Sequence, residues 1–203
     1  MLPTMRMWLL MIALTLCSAA QATHAHADER GARQHLTDLR LSSHQARRTA
    51  GFWLLGFGAA STLGGGVIAV IGHNDKAWLA AGITTASFGI VNALLSFGLL
   101  DISDSDKERI LAARTHGVFL QQRERELVTQ LKSGQFFAVN AGLDLFYLAT
   151  GAFLCVIAGM NGGKGRWELG AGIAAIGQSV FLLGFDVANW IGANNRAAGV
   201  QAL

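Results

Sequence analysis

"QFFAVNAGLDLFYLATGAFLCVIAG", residues 135–159, has the length and apolarity of a membrane span, since about 20 apolar residues in a helix cross a hydrocarbon core of roughly 30 Å. Two of its residues are out of place in hydrocarbon. Asn140 and Asp144 lie four apart, and so on one face of such a helix. Three further stretches match it in length and character, at about 51–72, 78–100 and 169–191. Only "HNDKA" separates the first two and "NGGKGRWE" the last two, which forces tight helical hairpins. Trp53, Trp78, Trp167 and Trp190 all fall at span ends, where amphipathic indoles favour the headgroup zone. The expectation is an all-α, membrane-embedded four-helix bundle of two hairpins, 51–100 and 135–191.

Composition supports a lipid environment. The chain is 52% hydrophobic and only 14% charged, whereas roughly a quarter of the residues of a soluble domain carry charge. The formal charge of +3 does not point to nucleic acid, because no basic cluster beyond the first segment exceeds Arg47-Arg48 and most basic residues alternate with acids. No Ser/His/Asp set, phosphate loop or paired-Cys motif occurs, so no enzyme is expected. His35, His44 and His116 are scattered over polar segments and His73 sits at a turn, so neither a metal nor a cofactor such as haem is expected. The bilayer is the expected partner, together with another membrane protein or a second copy of this chain.

The first segment, "MLPTMRMWLLMIALTLCSAAQATHAHADE", combines Arg6 with a short apolar run and then small residues. That is the pattern of an export signal occupying residues 1–22, with Ala20-Gln21-Ala22 as cleavage site and residue 27 as the latest alternative. An uncleaved first anchor is the competing possibility. Lipidation of Cys17 is disfavoured, because Leu16 precedes it where Gly or Ala is required. Cleavage leaves Cys155 alone and the chain without a disulfide.

Polar segments precede both hairpins, at 28–50 and 101–134, and a tail occupies 192–203. Both segments are expected as extramembrane amphipathic helices. Ser105-Asp106-Lys107-Glu108 is a capping box, in which hydroxyl and carboxylate satisfy the free N–H groups of a helix start. The second segment has a partly apolar face, interrupted by Gly117.

Helix, hairpin, helix, hairpin suggests an internal duplication. Gly82, Ala86, Gly89, Ala93 and Ser96 form one stripe of small residues. An offset of 88 carries them to Gly170, Ala174, Gly177, Phe181 and Gly184, and aligns "LLSFG" with "LLGFD". Two spans per unit would make this a parallel repeat. Such stripes allow close helix packing in lipid, and Gly56, Ala60 and Gly64 extend the pattern to the first span. At the same offset Gly56 faces Asp144 and Gly98 faces Asp186, so only the second unit carries acids.

Asp186 and Asn189 share a face of the fourth span. With the hairpin centre near residue 165, Asp144 lies 21 residues before it and Asp186 21 after, so the carboxylates reach one depth. Asn140 and Asn189 pair almost as well, at 25 and 24 residues. Three readings compete for this group: an interfacial one, in which snorkelling lowers the cost of charge; a structural one, with interhelical hydrogen bonds; and a functional one, as cation ligands or a proton-sharing pair. Asn92, beside the small stripe, reads as packing glue.

Together "GIVNALLSFG", "FFAVNAGLDLFYLATG" and "GQSVFLLGFD" resemble a family of uncharacterised bacterial membrane proteins with an export signal, four spans and an N-x-G-L-D-x-x-Y segment in the third. The resemblance marks Asn140, Gly142, Leu143, Asp144 and Tyr147, with Phe185-Asp186 in the last span, and implies no activity.

Two function classes remain. One is a non-enzymatic inner-membrane protein of structural or partner-binding role; the other is a small ion- or proton-coupled transporter using Asp144 and Asp186. Orientation is contested. A cleaved signal places the polar helices in the periplasm, while their Lys and Arg content, against only Lys76, Lys164 and Arg166 in the short loops, argues for the cytoplasm. With Cys155→Ala as background, a cysteine at Ser105 is expected to react with a membrane-impermeant thiol reagent in intact cells; absence of labelling would put the basic helices inside.

Overall fold

The computed structural model describes residues 2–100, 105–112, 119–162 and 164–203, with side chains from Glu29 onward apart from Ser105 and Asp106. The side chains of the signal segment, the hydroxyl of the capping box and Gly117 lie outside the described residues. The described residues form five helices: α1 (Leu2–Ile71), α2 (Lys76–Ser96), α3 (Ser105–Ala112), α4 (Phe119–Met160) and α5 (Arg166–Gln201). There is no strand among the described residues. Four of the helices, all but α3, contain stretches long and apolar enough to cross a membrane. Large apolar side chains such as Leu63, Val70, Phe146 and Met160 are well exposed around the bundle, the surface of a protein solvated by lipid.

The polar segments are not separate helices lying beside the spans. Residues 29–50 run without a break into the first span as α1, and 119–134 into the third as α4. The tail likewise continues α5 to Gln201, burying Ala193, Ala197 and Val200. No proline or turn sequence interrupts either junction, and ending a helix there would strand unpaired N–H and C=O groups at the membrane surface. Among the described residues, α3 is the one helix too short to cross a membrane.

Within the bundle α1 packs on α2, α4 on α5, and α2 joins the hairpins through α5. Glycines set these separations. A Cβ on Gly58 would lie 2.7 Å from the Gly89 carbonyl oxygen, and one on Gly89 2.6 Å from that of Gly58; Gly65 and Gly82 face each other in the same way. Gly151 and Gly172 do this for the second hairpin, and Gly170 abuts the Ala77 backbone between hairpins. In the stripe of the second span, Ala86 and Ala93 meet Gly65 and Gly58, and Ser96 is fully buried.

The partners differ from the expected ones. Gly56, Ala60 and Gly64 are exposed, because the helix turns the 51, 54, 58, 61, 65 face toward α2. Gly177 and Gly184 are also exposed, with open space where a Cβ would go, and Ala174 is half-buried. On α5 the inward face instead carries Gly172, Ala175, Ser179, Leu182 and Asp186. Subtracting 88 from Gly151 and Gly172 gives Leu63 and Thr84, which are not the contact of the first hairpin. The packing therefore does not repeat at that offset.

Polar clamps close both ends. At the short-loop end Asp75 accepts from the Ala77 N–H at 2.8 Å, capping α2, and its carboxylate pairs with Arg166 at the start of α5. The Ala77 N–H and then the Arg166 guanidinium hold the Asp75 carboxyl below the usual carboxylate range. At the other end α4 buries Glu126 and Gln130 rather than its apolar Val128 and Leu131, which are exposed. Gln130 donates to Glu126 at 2.7 Å and to Ser43, and its Oε1 accepts from Arg196 Nε at 3.0 Å. Burial pushes the Arg196 guanidinium down and Glu126 opposes that shift. Arg123 donates to the Val200 and Gln201 carbonyls, capping α5. Midway, Ser61 and Gln178 form a buried hydrogen bond between α1 and α5.

Gly89→Leu must push α1 and α2 apart, and overpacking of about 1–3 kcal/mol lowers the melting temperature in detergent by about 2–12 °C. Gly184→Leu enters open space and leaves it within about 2 °C. Equal effects would show that the glycine contacts do not set the packing.

Candidate functional site

On α4 the inward stripe runs Phe137, Ala141, Asp144, Gly151, Ala158, and on α5 Ala175, Ser179, Leu182, Asp186, Ala193. These are helical spacings of three, four and seven, so each acid occupies a position that its helix must turn toward the other. Asp144 is 5% exposed and Asp186 6%, and the two acids line one cavity from facing helices, near enough to act on each other electrostatically. A carboxylate has only acceptors, so a hydrogen bond between the two carboxyls requires one of them to carry a proton. Asp144 Oδ2 is buried with no partner of its own.

The pair lies in the wall of a cavity of about 350 Å³ between α2, α4 and α5. Most of the wall is apolar or aromatic, with Phe88, Phe136, Phe137 and Phe185. The Phe88 ring meets Tyr147 edge-on at 5.4 Å. Polar groups come from Asn92 and Ser87 on α2 and from Asn140 and Tyr147 on α4. Asn92 is 5% exposed, and its Nδ2 is buried without a partner. A cavity that is largely apolar, with a few converging polar groups, is the usual form of a small-molecule site.

The expected quartet is therefore assembled differently. Asp144, Asp186 and Asn140 line one cavity, but Asn189 does not. Its amide donates to the Phe185 carbonyl at 2.8 Å on its own helix, and it faces a separate hollow toward Trp53 and Thr49. Three residues past Asp186, Asn189 has rotated toward α1. Its place in the lining is taken by Asn92, whose buried amide nitrogen meets no protein acceptor. The signal for Asn92 was its spacing, because Gly89, Asn92 and Ser96 share the buried face of α2. Among the described residues no third His, Cys, Asp or Glu joins the acids to make a metal-binding cluster.

A model described as a family of unknown function (DUF6992) matches residues 53–187, which takes in both acids, both cavity asparagines and all four spans in whole or large part. No curated protein and no solved structure matches the chain.

The carboxyl pair makes asymmetric predictions. Asp186→Asn keeps a donor facing Asp144 and costs less than about 1 kcal/mol of stability in detergent, whereas Asp186→Leu strands a buried carboxyl and costs about 1–3 kcal/mol. Chemical unfolding of both variants measures the difference. Equal stability would mean that the contact between the acids is not part of the fold's energetics.

Proposed function

The chain belongs to this family of unknown function, and we propose that it is a non-enzymatic, multi-pass membrane protein whose Asp144–Asp186 pair takes up and releases a proton or another monovalent cation. The bilayer is its principal partner in this reading. The export-signal pattern supports the inner membrane of a bacterium as its location, with the polar end outward. One observation carries the proposal: two buried carboxyl groups from different helices meet in one cavity wall, and one of their oxygens is left unpartnered.

The chemistry follows from the pair. A shared proton leaves a single negative charge distributed over two carboxyls, and its loss opens a two-carboxylate site for a cation. The Asn92 and Asn140 amides, with both donors and acceptors, suit either state. Ionisable groups at membrane depth commonly serve as proton relays or ion sites. A purely structural or partner-binding role accounts for the glycine packing and the polar clamps, but it leaves the cavity and its unpartnered groups without a purpose.

The test uses the full chain reconstituted in vesicles containing a trapped pH dye, with a potassium diffusion potential imposed. Proton entry is expected to exceed that of protein-free vesicles and to fall about tenfold or more in the Asp144→Asn, Asp186→Asn double variant, which lacks the titrating groups of the relay. Identical entry for the wild type and a correctly folded double variant would reduce the acids to packing residues.

A further inference from the structure

Beyond the carboxyl pair, a second and chemically opposite pocket lies at the polar end. It has a volume of about 210 Å³ and is bounded by Arg40, Ser43, His44 and Arg47 of α1, Arg109 of α3 and Glu126 of α4. The one acid among its described lining residues is committed: Glu126 lies 3.6 Å from Arg40 and accepts from Gln130. Arg47 has no hydrogen-bonding or ionic partner among the described residues, and His44 Nε2 is buried without one. A polar space bordered by the unpartnered Arg47 guanidinium and an unpartnered imidazole nitrogen is electrostatically incomplete.

We infer that this pocket binds a phosphate-bearing anion. Guanidinium forks match tetrahedral phosphate oxygens with paired, charge-assisted hydrogen bonds, and the Ser43 hydroxyl and His44 ring add neutral contacts. The volume is several times the roughly 30 Å³ that one water occupies, enough for a phosphoryl group and the atoms that carry it. Location adds to the chemistry. Arg47 precedes Gly51, where the apolar span starts, by four residues, or about 6 Å of helix, so the pocket sits at headgroup depth. A basic recess there fits the phosphate of an anionic lipid, and a free phosphate from the aqueous side presents the same oxygens.

The full-length protein, in a sugar-based detergent and phosphate-free buffer, would be titrated with inorganic phosphate, short-chain phosphatidic acid and short-chain diacylglycerol, reading the melting temperature, which rises with occupancy of a native-state site. A saturable rise with a phosphate-bearing probe is expected, with half-saturation moving about tenfold or more to higher concentration in Arg47→Gln and unchanged in Arg30→Gln, an exposed position on the same helix. Tighter binding of phosphatidic acid than of phosphate identifies a lipid headgroup as the source; equal binding identifies free phosphate. A rise of the same size with diacylglycerol, no rise with either phosphate probe, or half-saturation unchanged in Arg47→Gln overturns the assignment. Should Arg47→Gln not fold, Arg47→Lys keeps the charge and loses the fork. A shift of about threefold or more is then expected, and no shift overturns the site.

Discussion

Close approach of backbone to backbone is the constraint on which the rest of this bundle depends. Lipid tails are as apolar as leucine, so burying leucine between helices gains little, and association relies on surfaces that fit closely. Gly58 against Gly89, Gly65 against Gly82 and Gly151 against Gly172 supply those surfaces, and Gly170 against Ala77 locks the two hairpins together. Once glycine and alanine occupy the contacts, the large apolar residues are left for the outside, where they are found. The interior that remains is narrow, and where the small stripes end it admits polar groups: Ser61 and Gln178 in one layer, Asn92 and the two acids in another.

The ends are held by different means. Beyond the hydrocarbon, charge costs less, and side-chain pairs replace glycine contacts. Asp75 and Arg166 join the short loops, and the Glu126, Gln130 and Arg196 group joins α4 to α5 and, through Ser43 and Arg40, to α1. The exposed Asp75 pair mainly fixes geometry, since surface ion pairs contribute little. The buried group does more, because every polar atom it satisfies would otherwise be stranded where water is scarce.

Span number and the meeting of Asp144 with Asp186 were legible in the sequence, since both follow from length, a short loop and helical periodicity. Which stripe of small residues faces a partner was not. Gly56-x-x-x-Ala60-x-x-x-Gly64 and Gly58 with Gly65 are both well-spaced sets, and only packing against α2 selects the second. Gly177 and Gly184 failed for the same reason. The continuity of α1 and α4 was hidden because a change from polar to apolar composition resembles a boundary, while the backbone has no reason to break without proline or a turn. Asn189 was misplaced by proximity: sharing a face loosely with Asp186 does not ensure entry to the same cavity, and a few tens of degrees of helical rotation took it to a different neighbour.

The acids invite a comparison of magnitudes. An aspartate in a membrane helix costs up to about 2.5–3.5 kcal/mol on insertion scales, the value at the centre, whereas an interhelical hydrogen bond in a membrane returns about 0.6 kcal/mol on average. As a device for joining α4 to α5, two aspartates are therefore a poor choice. Asparagine would make the same contact without a titrating proton, and the chain already uses Asn92 and Asn140 at the same cavity. What carboxyls offer and amides do not is a change of charge when a proton leaves. Glycine packing holds the helices without them, so the stability they subtract is tolerable. Their placement in a cavity wall, rather than in the solid contact at Gly151, is what the proposed exchange of a proton for another cation requires.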